Sequence, residues 1–216
     1  MNSLEDTDVT LTAETLHVLN EFLHEKAERE REEQNRVLGI SGNTSMFEED
    51  WQLSQFWYSE ETKHSVGKVV QKLSSPGSQI ALLSCPSLYS TIKDIHADVK
   101  IFEFDRRFST FGDDFIFYDF NDAFQEPNHI DEHASLYDLI IADPPFLSED
   151  CIIKTAHIIK KLKKPEGKII FCSGKVVEPW VTKFLDLKLC NFCPAHNRNL
   201  GNEFVSFANF NLDELL

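Results

Sequence analysis

Residues 137–142, YDLIIA, run straight into Asp143-Pro144-Pro145-Phe146. Proline fixes φ, removes an amide donor and holds the residue before it extended. Two prolines in succession therefore make a stiff turn whose carbonyl groups are free to accept from a ligand. Asp143 sets a carboxylate beside those carbonyls, and Phe146 supplies an aromatic wall. Such a nest can accept hydrogen bonds from an amine and hold it near a reactive carbon, and the ring face tolerates a cation. The same residues also read as a proline-terminated strand whose acid caps the next helix, because Leu147-Ser148-Glu149-Asp150 follows.

The elements that must position this turn are visible as short apolar runs. They cover residues 79–84, 99–104, 114–120, 137–142, 167–173, 187–193 and 203–210. Between most of the first five lie stretches of helical spacing. Residues 60–73 place Val66, Val69, Val70 and Leu73 on one side; residues 149–162 do the same with Ile152, Ile153, Ala156, Ile159 and Leu162. Strands alternating with helices predict a mostly parallel α/β sheet covered on both faces. The last two strands have no room for a long crossover, so that end reads as an antiparallel hairpin. Residues 11–36 read as a further helix, capped by Thr12 and with Leu16, Leu19, Phe22 and Leu23 on one face, and residues 37–48 as a linker.

In an open parallel sheet, ligands bind beyond the carboxyl ends of the strands. After the first strand come Ser84, Cys85, Pro86 and Ser87. Asp105 follows the second and stands where an acid commonly holds ribose hydroxyls, with Glu103 alternating to the other face; the bland reading is a solvated strand end. Asp119 follows the third, with Asn121 and Asp122 close by, and suits either an adenine amine or a turn. Asp143 follows the fourth. In the connection at 194–202, Arg198, Asn197 and Asn199 line a substrate mouth or simply make a polar turn.

Bulk composition narrows the class. The chain has 216 residues, 42% apolar and 26% charged, with a net charge of −15. Phosphate affinity is carried largely by Lys and Arg, so this balance argues against a general nucleic-acid binder. No apolar run approaches the roughly 20 residues of a membrane-spanning helix, and the acidic start MNSLEDTDVT is unlike a secretory or transit signal, which leaves the cytoplasm as the expected location. Five cysteines make no even disulfide framework. Cys190-Asn191-Phe192-Cys193 with His196 lacks a fourth ligand and a second CxxC, so no metal site is expected.

Asp-Pro-Pro-Phe after a fourth strand resembles the [DNS]PP[YFW] motif of amine-directed S-adenosylmethionine methyltransferases. WQLSQFWYSEET (51–62) is similar to the segment those enzymes place before the first strand, against the methionine end of the cofactor. Together with FEFDRRF, DFIFYDF and HNRNLGNEF, these motifs resemble, over residues 49–212, the eukaryotic family described as probable N6-adenine methyltransferases. The fold implied is a Rossmann-like, seven-stranded class I methyltransferase sheet over 49–216, with residues 1–48 as an N-terminal helix and linker. The resemblance implies S-adenosylmethionine as cofactor, contacted by Phe56, Trp57, Tyr58, Ser84, Cys85, Asp105, Asp119 and Asp143. It implies Asp143, Pro144, Pro145 and Phe146 as the catalytic turn. One departure stands out: LLSCPSLYS carries no glycine where class I enzymes usually have a glycine-rich turn.

The motif alone does not choose between adenine and lysine, since both present an amine to carbonyl acceptors beside a ring. The acidic chain and the small members of the family, which include the elongation factor 1-alpha lysine methyltransferase, point to a protein-lysine N-methyltransferase acting on that factor. The alternatives are an RNA or DNA adenine N6-methyltransferase, for which KKLKKPEGK (160–168) is the sole basic stripe, and a non-catalytic scaffold, for which the missing glycines argue.

Overall fold

The computed structural model describes residues 47–198 and 203–216. The helix expected over 11–36, the linker as far as residue 46, and Asn199 lie outside the described residues. Seven strands form one sheet in the order β3-β2-β1-β4-β5-β7-β6. They are β1 (Ile80–Leu83), β2 (Val99–Glu103), β3 (Phe115–Phe117), β4 (Tyr137–Ala142), β5 (Lys163–Gly174), β6 (Lys188–Leu189) and β7 (Phe204–Ala208). The first five pair in parallel, whereas β7 runs antiparallel to both β5 and β6. The expected sheet with an antiparallel C-terminal hairpin is thus what forms.

Helices α1 (Glu60–Leu73), α2 (Tyr89–Ile95), α3 (Glu149–Leu162) and α4 (Glu178–Leu185) cover the sheet. The first and third occupy the residues that the spacing predicts; α2 and α4, of seven and eight residues, are too short to show a periodic stripe. Ser59 caps α1 by accepting from the Thr62 amide, with Glu60 and Glu61 in the first turn and Lys72 in the last, all in the sense the helix dipole favours. Ala81, Leu83, Ile140, Ala142 and Phe171 turn to one face and cluster with Ile152 and Ile159 of α3 and Val181 of α4. The period of two turns Ile80, Leu82, Ile141 and Ile170 to the opposite face, the side left for α1 and α2. β1 is buried along its whole length, as a central parallel strand covered by helices on both faces must be.

Two strands differ from their sequence runs for identifiable reasons. The run at 187–193 pairs only at Lys188 and Leu189, because the Asn191 and Phe192 amides turn away to the Asp213 carboxylate. β5 starts at Lys163 rather than 167: its first residue pairs with Tyr137, then four residues bulge before Lys168 pairs with Leu139. Gly167 sits in that bulge, where a Cβ would lie 2.6 Å from Lys163 Cγ and 2.9 Å from the Tyr137 carbonyl. The lysines of 160–168 lie here, at the starting end of β4, about 20 Å along that strand from Asp143. Lys161 is paired with Asp131 at 2.6 Å and Lys164 with Asp138 at 2.7 Å, and none of the five lysines lines the pocket at the motif turn.

The strand order reverses between β1 and β4, the switch point where a crevice opens at the carboxyl ends. Leu83 pairs with Ala142, so the residues that follow, Ser84 and Asp143, are neighbours there. Ser84 adopts φ +56°, the left-handed conformation ordinarily given to glycine, and its amide bonds the Phe102 carbonyl at 2.9 Å. The glycine-free loop therefore takes a glycine-like backbone turn at a small residue, after which Cys85, Pro86 and a short 3-10 turn lead into α2. A serine held at positive φ is strained. Ser84→Gly is expected to leave the midpoint of urea unfolding unchanged or higher. Ser84→Val, with a branched β-carbon at the same φ, should lower stability by about 1–3 kcal/mol.

Candidate active site

A pocket of about 570 Å³ lies at this switch point. Its walls come from every strand end the topology brings together: Ser84 and Cys85 after β1, Glu103 and Phe104 at the end of β2, Asp119 and Phe120 beyond β3, and Asp143 to Leu147 after β4. Residues 52–57 close one side, and His196 and Phe204, from the C-terminal hairpin, close another. Of the residues expected from sequence, Phe56, Trp57, Ser84, Cys85, Asp119, Asp143, Pro144, Pro145 and Phe146 all line it.

The motif turn is built from three constraints. The Asp143 amide is taken by the Leu83 carbonyl, which extends the β1–β4 ladder by one step. Helix α3 is capped by Ser148, which accepts from the Cys151 amide, so Asp143 is not a helix cap. Its carboxylate points instead to Tyr58, whose hydroxyl donates to Oδ2 at 2.6 Å. Burial pushes the Asp143 carboxyl up to about 7; the Tyr58 hydrogen bond pulls it down and the charge of Glu103 adds to the rise. Phe146 is exposed and meets the half-buried Phe120 edge-on at 5.8 Å, forming the apolar lip of the pocket. Gly174 ends β5 beneath that lip; a Cβ there would stand 2.9 Å from Leu147 Cδ1, so its absence lets Leu147 fold in as wall.

The acid at the end of the second strand is not the one expected. Asp105 is buried away from the pocket, with its carboxylate engaged by the Arg107 guanidinium at 2.7 and 2.8 Å, by the Arg107 amide and by the Gln55 amide group at 3.0 Å. Burial acts to raise its carboxyl, but the Arg107 and Gln55 hydrogen bonds overcome this and hold it below the usual range. Asp105 thus ties the 47–58 segment to β2. Arg107 also donates to Gln55 Oε1 at 3.1 Å, and the Trp57 indole donates to the Phe47 carbonyl at 2.7 Å, fixing the wall that Phe56 and Trp57 present. Glu103 faces the pocket in its place. It is buried, accepts from the amides of Phe104 and Asp105, and is pushed up to about 7, chiefly by burial. Asp119 makes the turn foreseen for it, one carboxylate oxygen accepting from the Asn121 amide, and the residue also lines the pocket.

The C-terminal connection contributes differently from the sequence reading. Arg198 pairs with Glu49 at 3.4 Å, and Asn197 donates its amide to the Trp57 carbonyl; neither lines the pocket. His196 does, stacked on Tyr58 with ring centroids 4.8 Å apart, and burial lowers its imidazole to about 4, so it is neutral at physiological pH. Tyr58 itself is buried behind Asp143 rather than against the cavity. Nothing local in the sequence marks His196; it reaches the site through an antiparallel bridge to Tyr58, 138 residues away in the chain.

Three carboxylates, Glu103, Asp119 and Asp143, line the pocket, and no Lys or Arg does among the described residues. Such a cavity suits a ligand with fixed positive charge and is a poor place for phosphate groups. Phe104, Phe120 and Phe56 offer ring faces and edges for a flat heterocycle, and buried Glu103 offers acceptors for a sugar diol.

Comparison with known proteins agrees with this geometry. Residues 49–212 match the family model described as probable N6-adenine methyltransferase. A protein-lysine N-methyltransferase of Drosophila melanogaster is 54% identical over 98% of both chains. EEF1A lysine methyltransferase 1 of Gallus gallus is 41% identical over 95% of this chain and 96% of its own. Among solved structures, the precorrin-6y C5,15-methyltransferase of Geobacter metallireducens superposes with a TM-score of 0.50 at 12% identity, covering 78% of this chain and 94% of that one, a likeness of fold alone.

The buried acid at 103 has a pH signature. A carboxyl held at about 7 in the folded state, against 4.5 in the open chain, keeps its proton on the native protein between those values. Raising pH through that window strips it at a cost to stability. Glu103→Gln should therefore match the native protein at pH 5 and gain stability relative to it by pH 8. Paired urea titrations at the two pH values cancel the opposite contribution of His196, which both proteins share.

Proposed function

The chain belongs to the family of probable N6-adenine methyltransferases, and from that premise we propose that it is an S-adenosylmethionine-dependent protein-lysine N-methyltransferase acting on elongation factor 1-alpha. The observation that carries the choice of a protein amine over a nucleic-acid base is the charge of the pocket. Among the described residues three carboxylates and no Lys or Arg line it, and the lysines of 160–168 lie at the far end of the sheet, with Lys161 and Lys164 paired with acids. A polynucleotide brings phosphates that need the opposite arrangement. The names of the relatives support the same reading. The glycine-like turn at Ser84 supports a working cofactor loop over a dead scaffold.

The residues present fit the cofactor. Glu103 would hold its ribose, Phe104 and Phe120 its base, and Phe56 and Trp57 its amino-acid end. When bound, S-adenosylmethionine supplies a methyl group on positively charged sulfur. The protein's own part is positioning. Asp143 Oδ1, the oxygen that Tyr58 does not engage, accepts an N–H of the lysine amine. Pro144 and Pro145 have no N–H groups, so the turn adds acceptors and no donor that would repel the amine. Phe146 flanks the aliphatic stem. A lysine amine near 10.4 must lose its proton before it can act as a nucleophile. A carboxylate near 7 is too weak a base to take that proton outright, so Asp143 orients the amine and the proton leaves to water. Holding a nucleophile in line is worth orders of magnitude in rate without any added chemistry.

The test is transfer of labelled methyl from S-adenosylmethionine into a eukaryotic extract split between protease and nuclease. Protease-sensitive label at the size of elongation factor 1-alpha is expected; nuclease-sensitive label would transfer the assignment to adenine. Asp143→Ala should lower transfer by about 100-fold or more while cofactor binding, read by thermal shift, persists. Loss of cofactor binding in that variant would remove Asp143 from the amine.

A further inference from the structure

We propose that Tyr58 is the positioning residue of this site: its hydroxyl fixes Asp143 so that a single, ionised oxygen meets the amine. The proposal rests on the lysine-methylating reading above and gives Tyr58 a role other than the cofactor contact expected from sequence. The geometry is over-determined. The Tyr58 hydroxyl donates to Asp143 Oδ2 at 2.6 Å, and its ring is buried, stacked on His196 at 4.8 Å and 6.5 Å from Phe204. Its backbone amide donates to Ser87 Oγ at 3.4 Å in the loop after β1. The flanking residues are zipped to the C-terminal connection, Ser59 N–H to the Ala195 carbonyl and Asn197 N–H to the Trp57 carbonyl, each at 2.8 Å. Three separate parts of the chain therefore lock one phenol, and that phenol holds one carboxylate.

The surroundings of Asp143 make this bond consequential. Glu103 faces it from the end of β2, Cys85 from the loop after β1 and Cys172 from β5, while neutral His196 of the C-terminal connection stacks on the Tyr58 ring. Glu103, when ionised, opposes a second negative charge, and the thiols, histidine and burial offer no cation to offset it. The Tyr58 hydroxyl is the interaction that favours the carboxylate, because a hydrogen bond to the charged form stabilises it. The phenol keeps its own proton, since burial and the Asp143 charge push it well above its ordinary value. It is thus a donor at every working pH.

The measurement is the pH dependence of kcat/KM for labelled methyl transfer from S-adenosylmethionine to unmethylated elongation factor 1-alpha, for the native enzyme and Tyr58→Phe. Transfer needs an ionised Asp143 and a neutral amine, so the logarithmic plot has slope about two below the Asp143 ionisation and about one above it. In Tyr58→Phe the break should move up by about 1 on the pH scale and kcat should fall by about tenfold or more. Affinity for S-adenosylmethionine, read by equilibrium dialysis, should stay within about twofold, because the phenol does not line the pocket. A difluorotyrosine at position 58 keeps the ring and donates more strongly, and should move the break down instead. A structural role alone would move neither break, so unmoved breaks in both variants overturn the inference. If the native enzyme transfers methyl and Asp143→Ala does not, that result leaves the lysine reading standing. If the native enzyme transfers no methyl to protein, both readings fall together.

Discussion

Leu83 and Ala142 face each other at the end of a parallel ladder between two strands buried on both sides, and the pocket of the candidate site is built on the residues that follow them. A one-residue slip in that register would turn Ala142 to the other helix layer and swing Asp143 to the opposite face. The register is held by Ala81, Leu83, Ile140 and Ala142 facing one helix pair while Ile80, Leu82 and Ile141 face the other way. The hydrophobic core therefore does more than stabilise the domain. It sets, to within a side chain's width, where Ser84's turn meets Asp143's carboxylate.

Around this fixed point the pocket is assembled from parts that the core does not reach. The 47–58 segment is held by polar bonds, chiefly the Asp105–Arg107–Gln55 cluster, and by rings: Phe47 lies 4.8 Å from Phe108, which also meets Trp57. The C-terminal connection is held by the short bridge to Tyr58. Charge withdrawn from water is tolerated in both places because it is bonded: buried Asp105 by a guanidinium and an amide, half-buried Asp143 by a phenol. Glu103 has only backbone amides, and it pays with a carboxyl that titrates near neutrality.

Much of this was legible in the sequence, for local reasons. A proline pair after an apolar run announces a stiff strand-end turn wherever it occurs, and the helices at 60–73 and 149–162 are long enough to carry a periodic stripe. What escaped was decided over distance. Asp105 and Glu103 differ by two places, and the strand rule that selects between them depends on where β2 stops. It stops at Glu103, and two residues on the Asp105 carboxylate accepts from Gln55, fifty residues earlier, while Phe104 turns out to the pocket. His196 looked like one polar residue among several in a connection, and only its bridge partner gives it a place in the wall. The left-handed Ser84 was hidden for a different reason: a missing glycine reads as a missing turn, although a small residue can be forced into the same conformation by strong neighbours on both sides.

The position of β7 has a consequence for synthesis. It is the last strand in the chain, yet it sits inside the sheet between β5 and β6, and the loop before it supplies His196 to the pocket and the brace for Tyr58. A chain emerging from the ribosome in order can lay down β1 to β5 and even helix α4 while this wall is still absent. The pocket then stands open on one side, and Tyr58 lacks the ring of His196 that stacks on it. The pocket wall at His196 is complete only once β7 stands between β5 and β6.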